Sequence, residues 1–193
     1  MTMKPESFES LSGNLLLAMP GIADPFFSRT LTLLCEHNED GAMGVVINQP
    51  TEVSLQEVFE QLELSDASTE AMHRPIGYGG PVSRDQGFIL HTANDEQKWA
   101  SSFEVMKGIE LTASQDIIEA ISKGSGPDKW LFVLGYAGWG AGQLETELAG
   151  DSWITVQATE QLVFDTPAAE KLKASASRLG IEFGRFATIS GSA

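Results

Sequence analysis

Apolar residues along this chain fall into two spacings, and the spacings sort it into strands and helices. Asn14–Met19 is nearly all apolar and halts at Pro20-Gly21, the pattern of a short buried strand. Thr30–Cys35 alternates polar and apolar with β-favouring residues and reads as a second strand. Glu39-Asp-Gly41 is a turn ahead of a third, Gly44–Asn48. Gly87–His91, Trp130–Leu134 and Trp153–Val156 have the same character further on. Between Gly21 and Ser28, the Pro25-Phe26-Phe27 run predicts a turn with its aromatic pair tucked back onto the core.

Helical spacing is clear at four places. Ser54-Leu-Gln-Glu57 is a capping box ahead of Leu55, Val58, Phe59 and Leu62 on one face. Thr112-Ala-Ser-Gln115 is expected to open a second helix carrying Ile117, Ile118 and Ile121, closed by Gly124. A short third helix is predicted from about Ala141 to Ala149. The fourth has Thr166 as cap, Pro167 at its first position, and Leu172, Ala176 and Leu179 on one side up to Gly180. Leu64–Pro75 reads as a loop. Residues 1–10 are a polar lead, loose or partly docked, and 11–193 form one domain. Strands cluster early and helices are interspersed, so the expected class is α+β, with one large mixed sheet and about four flanking helices.

Composition changes this picture in one respect. Of 193 residues, 27 are acidic and 12 basic, a net charge of −15. Such a surface repels phosphate backbones, and the basic residues are scattered singly, so direct nucleic-acid binding is disfavoured. The lone cysteine, Cys35, fits a reducing compartment. Lys4 is followed by Glu6 and Glu9 before a short apolar patch, unlike a secretory signal. The uncharged stretch Trp130–Leu144 is too short and glycine-rich to span a bilayer as a helix. A cytoplasmic location without membrane association is the expectation.

Candidate chemistry is sparse. Gly135–Glu147 follows an apolar strand and leads into a helix. Its glycines at 135, 138, 140 and 142 permit close approach of a ligand or of another backbone. The segment matches no phosphate-loop or dinucleotide fingerprint and holds no Lys or Arg. It reads either as a tight strand-to-helix corner with Trp139 in the core, or as a surface for a ligand or partner. Tyr78-Gly-Gly-Pro-Val82 precedes a strand in the same way. If the two glycine loops meet, they make a concave patch of the kind that binds ligands.

Cys35 and His37 stand two apart, and strand geometry puts their side chains on one face. A thiolate–imidazole pair is nucleophile chemistry, although an inert buried cysteine fits the same residues. His37, His73 and His91 lack zinc-site spacing, and no serine-hydrolase elbow is present. Asp24 and Arg29 flank the aromatic pair either as a local ion pair or as ligand contacts. Asn48 serves the connection after its strand, or a substrate. No catalytic residue, metal or cofactor is assigned.

Several of these strings together resemble one family. Met19-Pro-Gly-Ile-Ala-Asp-Pro25, Arg29, Cys35-Glu-His-Asn38, Gly41-Ala-Met-Gly44, Asn48-Gln-Pro50, Tyr78–Val82, Gly135–Glu145 and Trp153 are similar to the AlgH/YqgE family of bacterial proteins. The resemblance runs from about residue 11 to the fourth helix, with the tail after Gly180 the least typical part. It implies an α+β domain with a mixed, strongly curved sheet and no established catalytic site. Some members carry the label of transcriptional regulator. With the charge argument, that implies regulation through a protein or small molecule, not through promoter contacts.

The resulting expectation is a non-enzymatic regulatory or binding protein. Its surface would be built from Asp24, Arg29, Asn48, Gly79, Gly80, Gly138, Trp139, Gly140, Gln143 and Glu145. The alternative is a hydrolase or nucleotide-handling enzyme with a cleft near Cys35, His37 and the glycine loops.

Overall fold

Among the described residues ten strands form, and their pairing makes one curled sheet. The computed structural model describes residues 8–22, 24–64 and 67–181. Most of the expected polar lead, and the tail beyond Ile181, lie outside that range. The strands are β1 (Asn14–Ala18), β2 (Leu31–Asn38), β3 (Gly41–Val46), β4 (Pro50–Ser54), β5 (Pro75–Tyr78), β6 (Val82–Thr92), β7 (Ser102–Met106), β8 (Ile109–Thr112), β9 (Trp130–Gly140) and β10 (Trp153–Gln157). Their order is β10-β1-β2-β3-β9-β6-β8-β7, with β4 on β5 and β5 on β9. Only the β5–β9 pairing is parallel among the described strands, so the sheet is mixed but mostly antiparallel.

Side-chain alternation fills three apolar clusters. Inside the curl, Leu15, Leu17, Leu31, Leu33, Val45 and Leu111 form the main core. The last strand, β7, returns to touch β2, which makes the sheet a half-barrel. On the outer face, α1 (Leu55–Gln61), α2 (Thr69–Met72) and α3 (Gln115–Ser122) cover Ile76, Ile89, Trp130 and Phe132. Also on the outer face, α4 (Gln143–Ala149) covers Leu16, Leu34, Ala137, Trp139 and Trp153. The fifth helix, α5 (Ala168–Arg178), adds Leu172 and Ala176 to the inner core.

The expected helices are all present, with different starts. Ser54 caps α1, its N–H donating to the Glu57 carboxylate at 3.2 Å. The second helix is capped at Ser114 and not at Thr112, because Thr112 is paired into β8 and its hydroxyl is bonded to the His91 ring. Thr166 does not cap α5; it closes a π-helical turn over Gln161–Asp165 by donating to the Gln161 carbonyl. The expected loop 64–75 contains α2, capped by Ser68.

That π turn leaves a carbonyl that only a side chain satisfies. Lys171 is 2% exposed and its ammonium donates to the Val163 carbonyl, with no carboxylate partner among the described residues. Burial lowers its pKa to about 8. The folded pKa lies below the unfolded value of about 10.4, so in the window between them the unfolded chain holds more protons and stability rises with pH. Relative to Lys171→Met, the natural chain should gain about 2–3 kcal/mol between roughly pH 7 and pH 10, read from urea midpoints. Parallel pH profiles for the two proteins would overturn this.

Candidate functional site

The glycine-rich segment is mostly strand. Gly140, Trp139, Gly138 and Ala137 pair with Gly41, Ala42, Met43 and Gly44 of β3, so β9 runs on past the expected corner and turns only at Gly142. Positive φ at Gly135 (+73°) resets the alternation. Val133 and Tyr136 therefore both face the inner core, whereas Ala137 and Trp139 face α4.

On that outer side the polar residues of the segment hold one another. The Glu147 carboxylate accepts the indole N–H of Trp139 at 2.9 Å and of Trp153 at 2.8 Å through one oxygen. Its other oxygen accepts from Gln143, whose side-chain carbonyl accepts the Gly140 N–H. Burial raises the Glu147 pKa, but the three donated hydrogen bonds outweigh it and the net shift is downward. The two indoles meet edge to face at 5.9 Å, and Phe27 closes the cluster against both rings.

A second link joins β2 to α4. The Leu11 N–H donates to His37 Nδ1 at 2.9 Å, which leaves the ring proton on Nε2; that N–H donates to Glu145 at 2.8 Å. Both imidazole nitrogens are thus occupied. The Glu145 pKa is lowered, first by a bond from its own backbone N–H and then by His37.

Cys35 and His37 do not share a face. The β2–β3 register shifts between Leu34 and Glu36, so Cys35 is an extra, bulged residue. The bulge leaves the thiol in the inner core and turns the imidazole outward to α4. Burial pushes the Cys35 thiol up to about 12, and its S–H points to the Leu33 carbonyl at 3.5 Å. The thiolate–imidazole pair is therefore not formed. His91 lies apart, bonded to Thr112 and the Thr92 carbonyl, its pKa lowered by burial. No group of three or more metal-ligating side chains occurs among the described residues.

The remaining candidates serve the backbone. Asp24 accepts the Phe26 N–H at 2.8 Å, an Asx turn. Asn48 is 9% exposed; it accepts the Leu31 N–H and donates to the Arg29 carbonyl, tying the 24–29 loop to the end of β3. The two glycine loops do meet, but in direct contact. A Cβ on Gly79 would strike the Gly135 carbonyl, and one on Gly80 the Tyr136 backbone. They leave no hollow between them.

A concave surface lies instead on the inner face, at the open mouth of the half-barrel. A groove of about 580 Å³ is bordered there by Gly138 and Trp139 of β9, Met43 of β3 and Phe88 of β6. Tyr136 and Phe88 meet edge to face at 5.8 Å on its floor. Glu36 and Asp40 stand on its rim, and among the described residues no Lys or Arg lines it. Gly138 keeps the floor open, since a Cβ there would approach only the Tyr136 ring, at 3.4 Å. Glu36, Asp40, Met43, Phe88 and Tyr136 were missed because their convergence depends on two resets of strand alternation, at Cys35 and Gly135. The glycine at 135 is the one signal that pointed there.

Fold and groove define a class: a curled α+β half-barrel with a shallow acidic-aromatic mouth. The AlgH-like family model matches residues 15–184. A UPF0301 protein of Paraburkholderia phytofirmans is 46% identical over 172 residues, covering 89% of this chain and 90% of its own. One from Saccharophagus degradans is 45% identical over 186 residues, covering 96% and 90%. The chain belongs to the AlgH-like family. The solution structure of the AlgH protein from Pseudomonas aeruginosa is 44% identical and superposes with a TM-score of 0.79 over 99% of this chain and all of that one. A Corynebacterium diphtheriae protein of 18% identity shares the fold, with a TM-score of 0.68 over 90% of this chain and 89% of its own.

Proposed function

We propose that this protein binds a ligand without chemistry of its own, in the cytoplasm, and that the mouth of the half-barrel is the binding surface. The observation that carries this reading is an aromatic floor, Tyr136 and Phe88, beneath the carboxylates of Glu36 and Asp40 with no basic residue in the lining. A ring face attracts cations and carboxylates add to the attraction, so the fitting ligand is an apolar or aromatic ammonium compound. A regulatory role would act through such a ligand or through a protein. Net charge of −15 disfavours nucleic acid. What favours binding over a hydrolase is that Cys35 is sealed in the core and both nitrogens of His37 and His91 are engaged.

Among the described residues no helix is long and apolar enough to cross a membrane. The proposal is tested with arylalkyl-ammonium compounds and their carboxylate counterparts in thermal unfolding. A ligand at about 100 times its Kd stabilises the native state by about 2.7 kcal/mol. The ammonium compounds should raise the Tm and the carboxylates should not. Gly138→Leu, which fills the groove from a residue free of positive φ, should keep the fold and lose the shift. No shift in the natural protein, or one that survives Gly138→Leu, would sink the idea.

A further inference from the structure

On the outer face, on the other side of β6 from the mouth, α1 and α3 diverge from their shared contact with α2 and leave a cleft of about 440 Å³ between them. Its floor is the face of β6 and β9, with Phe132 and Leu134 exposed to it. Val58 and Leu62 form one wall, and Ile118 is on the other. These side chains, apart from Phe132, are only partly buried, so the described helices leave this part of the sheet uncovered.

The charges around the cleft have one sign. Glu57 and Asp85 line it, and among the described residues no Lys, Arg or His does. Neither α1 nor α3 contains a basic residue, while Glu57, Glu60, Asp116 and Glu119 lie on them. A second copy of this chain would bring a surface of net charge −15 against an acidic rim, which like-charge repulsion opposes. A basic occupant is the complement.

Backbone hydrogen bonding restricts its form. At the floor β9 has no free edge: Val133 and Leu134 lie between β6 and β5, while β6 pairs with β8 only from Ile89 onward. An extended peptide could not add a strand to β9. A helix satisfies its own backbone and presents apolar residues at i, i+4 and i+7, which span about 10 Å. The seven residues of α1 make a wall of about the same length.

We propose that the α1–α3 cleft is the docking site for a basic amphipathic helix of a partner protein. Its apolar stripe would cover Val58, Leu62, Ile118 and Leu134, and its Lys or Arg residues would meet Glu57 and Asp85. The site is a different surface from the mouth groove, the two sharing Gln86 in their linings.

The test is fluorescence anisotropy with a labelled Leu/Lys peptide of about 16 residues whose leucines follow helical spacing. A scrambled peptide of equal composition controls for net charge alone. The patterned peptide should bind at least about tenfold more tightly than the scrambled one. The double substitution Asp85→Lys with Gln115→Lys, both at exposed positions, should weaken it by at least about tenfold and flatten its salt dependence. Ile118→Gln should weaken it too, with urea unfolding confirming that each variant is folded. Amide shifts on peptide addition should cluster at residues 55–62 and 115–121. Equal binding of the scrambled peptide, unchanged affinity in the folded variants, or shifts centred on 36–43 would each overturn the proposal.

Discussion

Replacing Glu147 by alanine should cost the fold about 3 kcal/mol, because two buried indole donors lose the acceptor they share. Trp139 and Trp153 are 6% and 3% exposed, and both N–H groups end on the same carboxylate oxygen. Hydrogen bonds to a charged group contribute more than neutral ones, and an unsatisfied buried donor adds its own desolvation cost. Glu147→Gln should recover part of the loss, since an amide oxygen still accepts both donors. The Glu147 pKa is depressed in the folded state, so its contribution is present above the unfolded value of about 4.3 and fades as pH falls through the folded pKa. Urea titrations of the alanine, glutamine and natural proteins at neutral pH check this. A cost under about 1 kcal/mol for alanine would show that water serves both indoles as well as the carboxylate does.

Gly80→Ala is expected to be as damaging for a different reason. Its Cβ would enter the Tyr136 carbonyl group and the Ala137 nitrogen, all backbone atoms of β9 that no rotamer change can move. The neighbouring Gly79 donates to the Leu134 carbonyl at 2.7 Å and accepts the Val46 N–H at 2.8 Å, so the segment is wedged between β3 and β9. Forcing it out should cost about 3 kcal/mol or more. Gly108→Ala is the matched control. Its φ of +83° also disfavours a side chain, but nothing lies within 4 Å, so about 1 kcal/mol of backbone strain is all it should show. Equal losses at the two positions would mean that conformation, and not close approach, explains Gly80.

The parts of the fold legible in the sequence are those that a few neighbouring residues decide. Ser54 and Glu57 mark the start of α1, and Leu55 and Phe59, four apart, are both buried as their spacing requires. The runs Leu15–Leu17, Leu31–Leu34 and Ile89–Leu90 are buried strand, as their apolar content predicts. The short strands β4, β5, β7 and β8 were not legible. Each has four or five residues, and sequences such as Pro-Thr-Glu-Val-Ser at β4 become strand only because a partner supplies the ladder. The same holds for residues 135–140 of β9, where glycine erases the alternation that would announce a strand.

Of the residues singled out for a site, Gly138 and Trp139 border the mouth groove. Gln143 and Glu145 belong to the clamp under α4, and Asp24, Asn48, Gly79 and Gly80 are engaged with the backbone. The polar partners of Trp139 lie within eight residues of it, yet no spacing rule announces a carboxylate shared by two indoles.

By itself the sequence determined the class, the family, the acidic character and the main helices, because propensity, capping and charge act over a few residues or over none. The tertiary structure decided which face each candidate occupies. A bulge at Cys35 and a positive φ at Gly135 each shift the alternation by one residue, and such a shift sends every later side chain to the opposite side of the sheet. That is why His37 meets Glu145 and not Cys35, and why Tyr136 faces the mouth of the half-barrel while Trp139 faces α4.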